Sequence, residues 1–188
     1  MSVLGLAFYF SLGGNILIQW GLVPERRVDE KPSPWFLPSF MVASALAALV
    51  DGMVFRHLLT PWGLESLAPV VFAILLFSVF GLLRAVSLSS GRKTTPGYEE
   101  RASQANLALY AVAMMVGGRF SSVWLLLAGG LSAAFGYVAA TRFLDAIMDR
   151  LDLEPIPAPF RGAPIRFLSA GLMALAFAGI DASFFIGY

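Results

Sequence analysis

The 188-residue chain contains no cysteine. That excludes disulfides, thiolate chemistry and any cysteine-ligated metal or iron–sulfur centre held by this chain alone. Histidine is nearly as scarce: His57 is the only one, beside Arg56. Without carboxylate or cysteine company it makes a poor metal site, and no Ser/His/Asp arrangement is credible around it. No glycine-rich run joins a lysine in the frame of a phosphate loop. Charge of either sign is sparse, 13% of residues with a net +1, so bulk electrostatics point to neither nucleic acid nor an acidic substrate.

Apolar residues, by contrast, make up 58% of the chain, with a mean hydropathy of +0.76. They fall into six stretches, at about 3–23, 35–55, 67–86, 102–118, 123–144 and 165–186. Most are near the roughly 20 residues that cross a hydrocarbon core of about 30 Å at 1.5 Å per residue. The expected fold is therefore all-α and integral to a membrane, a single membrane domain over 1–188. No basic segment or small-residue cleavage site precedes the first stretch, so it is expected to remain as a span.

Basic residues give that bundle a direction. Alternate gaps hold Arg26, Arg27 and Lys31, then Arg84, Arg92, Lys93 and Arg101, then Arg142, Arg150, Arg161 and Arg166, eleven of the thirteen. Only Arg56 and Arg119 fall in the other gaps. Cytoplasmic loops collect Lys and Arg, so both termini are expected outside.

The stretches also echo one another three apart. Ser44-Ala45-Leu46-Ala47-Ala48-Leu49-Val50 is similar to Ser132-Ala133-Ala134-Phe135-Gly136-Tyr137-Val138, and Ala68-Pro69-Val70-Val71-Phe72 to Ala163-Pro164-Ile165-Arg166-Phe167. Stretches one and four each carry an asparagine in apolar surroundings, Asn15 and Asn106. A repeat of three spans inserts its second copy upside down, so two inverted three-helix repeats are expected, about 1–88 and 100–188. Gly13-Gly14-Asn15 interrupts stretch one, and stretch four is short. The first helix of each repeat is therefore expected to be broken, although Gly13 and Gly14 can equally serve close helix packing.

Ionisable and amide groups inside such spans are candidates for function. Asp51 can bind a coupling cation or relay a proton; a carboxylate near the interface, hydrated or paired with Arg56, is the plainer reading. Asn15, Gln19 and Asn106 can coordinate an ion with freed carbonyls, or simply bond between helices. Asp181 lies close enough to its span's end to be interfacial. Asp145, Asp149 and Asp152 alternate with Arg150 beyond stretch five, as in a solvated helical extension. The loops 24–34 and 87–101 are candidate docking surfaces. Trp20, Trp35, Trp62 and Trp124 sit at span ends, as interfacial anchors do.

The most specific signal lies in the last forty residues. Pro157-Ala158-Pro159-Phe160-Arg161-Gly162, followed by Ala170-Gly171-Leu172-Met173-Ala174-Leu175, resembles the inner loop and final helix of the A-type membrane subunit of Rnf electron-transport complexes, a family that includes the E subunit of the sodium-pumping NADH–quinone reductase Nqr. The resemblance implies a multi-pass protein of a bacterial or archaeal cytoplasmic membrane, paired with a homologous, oppositely oriented six-helix subunit. It also implies flavin and iron–sulfur centres on partner subunits, and a midplane [2Fe–2S] cluster shared by two cysteines from each of the paired chains. The family's first cysteine lies in a Gly-Leu-Cys-Pro-like turn, where this chain has Gly21-Leu22-Val23-Pro24. The second follows an asparagine, as Asn-Cys-Ala, where this chain has Asn106-Leu107-Ala108. With Val23 and Leu107 there, no cofactor is expected on this chain, and the apolar pair is expected to form a closed, packed site. A six-helix component of a small-molecule transporter, of the energy-coupling-factor substrate-binding type, is the competing expectation.

Overall fold

A computed structural model describes residues 3–11, 14–23, 36–89, 98–151 and 153–185, and among them the secondary structure is entirely helical. Seven α-helices occur: α1 Val3–Ser11, α2 Ile16–Trp20, α3 Phe36–Val54, α4 Ala68–Ser89, α5 Tyr98–Val116, α6 Val123–Leu151 and α7 Ala163–Phe185. A π-helical turn, Phe55–Leu59, prolongs α3, and single 3-10 turns cover Thr60–Trp62, Glu65–Leu67 and Ala158–Phe160. Every apolar stretch thus coincides with a helix, or in the first case with two. Two segments, 37–62 and 123–151, are each long and apolar enough to cross a membrane; shorter apolar helical segments run 65–79, 106–116 and 163–177.

The break in stretch one follows from its sequence. The Gly14 amide reaches back to the Tyr9 carbonyl (2.6 Å), closing the end of α1. Asn15 then takes an extended backbone (φ −73°, ψ 130°), and its Oδ1 accepts from the Leu17 amide at 3.0 Å. This is the N-cap bond that asparagine makes well, satisfying one of the first amides of α2. Gly21, at φ +62°, ends α2 in the left-handed conformation that glycine adopts without a Cβ penalty.

The second expected break is absent, and the expectation is corrected. α5 runs without interruption from Tyr98 to Val116, through Asn106. Its interior holds no glycine or proline, whereas stretch one has Gly13-Gly14 directly before its asparagine. An asparagine alone does not stop a helix. The alanine–proline pairs of the repeat behave alike: Ala68-Pro69 and Ala163-Pro164 each open a helix, where a missing amide costs no hydrogen bond. The extension beyond stretch five also forms, α6 continuing to Leu151.

The chain divides into two compact units, one of residues 1–41 and 131–188, the other of 42–130. In the first, α2 packs on α7. Phe10, Ile16, Leu17, Leu144 and Met173 are buried there, and the rings of Phe40 and Tyr137 lie 5.9 Å apart. Gly136 of α6 meets the end of α1: a Cβ there would come 2.6 Å from Ser11 Cα and 2.8 Å from the Phe10 carbonyl oxygen. Arg166 is buried and bonds Asp145 through Nη2 at 2.8 Å.

In the second unit α4 packs on α5. Phe72 stacks on Tyr110 with centroids 6.2 Å apart, and the Tyr110 hydroxyl donates to the Pro69 carbonyl at 3.1 Å. Gly130 lets the start of α6 approach α3, since a Cβ there would lie 2.8 Å from Ala45 Cα and 2.9 Å from the Ser44 carbonyl oxygen.

Candidate functional site

The second unit holds a buried carboxylate. Asp51 is 2% exposed, in the last turn of α3, and its Oδ1 has no hydrogen-bond partner. The side chain rests on Gly117, the first residue after α5. Any Cβ on Gly117 would overlap the Asp51 carboxyl group, so only glycine leaves room for it. The next residue of α3 is also a glycine, Gly52, where a Cβ would sit 2.6 Å from the methyl end of the Leu126 side chain and 3.2 Å from the Gly117 carbonyl oxygen. Two glycines in register therefore seat the Asp51 turn of α3 against the C-terminal end of α5.

Arg56 is not the partner of Asp51. Its guanidinium donates instead to the carbonyls of Phe120 and Ser121, in the turn between α5 and α6. The Arg56-paired carboxylate of the plainer reading from sequence is not the arrangement found. Arg56 lies in the π-helical turn Phe55–Leu59, and single π-turns within helices often mark functional positions.

The other polar candidates are placed differently. Asn15 is buried, and both ends of its amide serve the helix break, Oδ1 at Leu17 N–H and Nδ2 donating to the Ser11 carbonyl at 3.0 Å. Gln19, one turn on, is exposed, and its backbone amide bonds the Asn15 carbonyl at 2.8 Å. Asn106 is 8% exposed in the middle of α5, and its Nδ2 has no partner. Val23 is half-buried in the short turn after α2, with its amide on the Gly21 carbonyl at 2.9 Å. Leu107 is 46% exposed on α5. The expected closed packing at the family's ligand positions does not occur at Leu107, because Asn106 and Ala108 on either side take the inward face of the helix.

Two polar features escaped the sequence reading. Ser44, two turns before Asp51 on α3, is fully buried with its hydroxyl unpartnered. Arg166 keeps Nε and Nη1 unpartnered although buried, its one bond going to Asp145. Alternation of small residues hides a buried serine in any membrane helix, and the Asp145–Arg166 pair joins α6 to α7 across a loop that sequence spacing does not close. His57 is exposed, and Trp62 and Trp124 are strongly exposed, as anchors at span ends are. No group of three or more metal-ligating side chains occurs among the described residues. The docking candidate at 24–34 lies outside the described residues, as does the Asp181 side chain; of the candidate at 87–101, residues 90–97 lie outside them, while 87–89 end α4 and 98–101 open α5.

Comparison with known proteins bears on most of the chain. No family model matches it. It is 34% identical over 142 residues to the A-type subunit of the ion-translocating oxidoreductase complex of Edwardsiella ictaluri, covering 72% of each chain. The chain belongs to the A-type subunit family of ion-translocating oxidoreductase complexes. The corresponding subunits of Yersinia enterocolitica and Yersinia pseudotuberculosis are similar to it at 31% and 32% identity, each over 140 residues. The resemblance carried by Pro157–Gly162 and Ala170–Leu175 therefore reaches well beyond those segments.

Proposed function

We propose that the chain is an integral membrane subunit of an ion-translocating electron-transport complex and supplies no ligand to an iron–sulfur cluster. Membership of the A-type subunit family carries the first part, since the similar proteins are named for that complex. The absence of cysteine carries the second: valine at 23 and leucine at 107 have no atom that binds iron. Flavin and iron–sulfur centres then belong to partner subunits, and electrons pass this chain by a route that does not use its side chains as ligands.

The arrangement in the membrane follows from charge and repeat. Six spans as two inverted triplets, about 1–88 and 100–188, put both termini outside a bacterial inner membrane and eleven basic residues inside. The matching Ala-Pro helix starts at Ala68 and Ala163 support the repeat. The exposed face around Leu107 fits contact with a homologous, oppositely oriented six-helix subunit. The transporter-component alternative gains no support, since the relatives found are named as oxidoreductase complex subunits.

The test is affinity purification from native membranes through a tag on this chain, with mass spectrometry of what accompanies it. A second six-span chain with the opposite charge bias is the expected companion. A chain that purifies alone, stable and unaccompanied after mild solubilisation, would overturn the reading.

A further inference from the structure

We propose that Arg166 and the first turn of α7 form a binding site for the phosphate of an anionic phospholipid at the cytoplasmic surface of the membrane. The inference rests on the reading of the chain as an integral membrane subunit with its basic loops inside, and it adds a ligand and its residues.

Three observations in the first unit carry it. First, Arg166 is only 6% exposed and bonds Asp145 through Nη2 at 2.8 Å, while Nε and Nη1 have no partner. Buried donors are normally bonded, and the planar guanidinium is shaped to hold phosphate oxygens through several of its N–H groups at once. Second, Arg166 stands in the first turn of a 23-residue helix. The Ala163 and Ile165 amides of that turn have no acceptor within α7, and a helix N-terminus attracts anions. A helical side chain leans toward the N-terminus of its own helix, which directs the Arg166 guanidinium back over this turn. Third, the pair lies at headgroup level. Asp145 directly follows the fifth apolar stretch and Arg166 opens the sixth, so two separate span ends place the pair at one boundary of the hydrocarbon core.

The surroundings fit a lipid better than a soluble phosphate. Phe143, Phe167 and Leu168 are exposed beside the pair in sequence, as side chains that meet acyl chains are. Arg142 and Arg161 are exposed at the same end, and Arg161 bonds the Ile156 carbonyl through Nε at 2.9 Å. Basic pockets between helices on the cytoplasmic side draw anionic headgroups. The Asp145 side chain is 34% exposed, so the buried guanidinium is reached from the surface past it. Carboxylate and phosphate then compete for one cation.

The test titrates the full-length chain in mild detergent with dioleoylphosphatidylglycerol and reads the thermal midpoint. Dioleoylphosphatidylcholine and inorganic phosphate are the comparisons. Phosphatidylglycerol is expected to raise the midpoint saturably, and the other two to raise it far less. Arg166→Gln should raise the half-saturating phosphatidylglycerol concentration about tenfold or more, as the loss of hydrogen bonds from a charged donor does. Arg142→Gln, which removes an exposed charge at the same end, should leave it nearly unchanged. Asp145→Asn should bind at least as tightly as the wild type, whereas a pair with a structural role alone would only lower the midpoint. The readout is the shift that lipid adds, so a destabilised variant still reports, and the wild-type comparison needs no variant. Equal shifts with the two lipids, a shift reproduced by inorganic phosphate, or an unchanged half-saturation in Arg166→Gln overturns the proposal. No partner subunit enters the measurement, so a negative result leaves membership of the complex untouched.

Discussion

Asn15 shows how one side chain sets the course of a span. Leucine or alanine at that place would continue the apolar run; asparagine caps α2 at Leu17 and ties back to Ser11, so the break between α1 and α2 is a hydrogen-bonded structure. Asn15→Ala is expected to cost about 1 kcal/mol, the usual loss for an N-cap, seen as a lowered thermal midpoint of the detergent-purified chain. Hydrogen exchange should show the loss at the amides of 14–20 and leave α5 unchanged. At Asn106 the same residue type has the opposite consequence. Its helix runs on, its Nδ2 is unbonded within the chain, and it contributes no local structure that a leucine would lack. The two asparagines were legible as a pair because both stand in apolar surroundings. Their difference was not, because it depends on Gly14 closing α1 onto Tyr9.

At the scale of elements, glycines decide which helices touch. Gly136 lets α6 reach the end of α1, and Gly130 lets it reach α3, in both cases against backbone that cannot move aside. Gly136→Ala is therefore expected to destabilise the chain by about 1–3 kcal/mol through overpacking. Gly171 on α7 has nothing within 4 Å of the place a methyl group would take, so Gly171→Ala should be neutral or gain up to about 1 kcal/mol from helix propensity. Thermal unfolding of the two variants side by side measures the contrast; equal effects would contradict the packing described. Helix positions were readable from hydropathy alone: stretches 35–55, 67–86 and 165–186 fall on α3, α4 and α7 with ends shifted by a few residues. Contacts were not. Arg56 bonds the turn at Phe120 and Ser121, and not Asp51 one and a half turns before it, and it does so from a π-turn that hydropathy does not register.

For the whole molecule the cysteine-free sequence is also a tool. Single cysteines introduced at Ser2 and at Gly91 can be labelled without background. With both termini outside, a membrane-impermeant maleimide added to intact spheroplasts should label Ser2→Cys, and should label Gly91→Cys only after the membrane is opened. The reverse pattern would contradict the orientation drawn from the basic residues. Membership of the A-type subunit family was legible in the Pro157–Gly162 loop and the Ala170–Leu175 helix, and so was the absence of cysteine, because a missing atom type is a property of sequence alone. The setting of those positions needed the structure: Leu107 lies on an exposed helix face, fit for covering by lipid or another chain, and not in a packed core.

The most direct measurement is the subunit, flavin and iron content of the complex purified through this chain from native membranes. The account predicts companions that carry flavin and iron, with every iron ligand contributed by those companions. Recovery of the chain with no flavin- or iron-bearing partner, folded and redox-silent by itself, would contradict it.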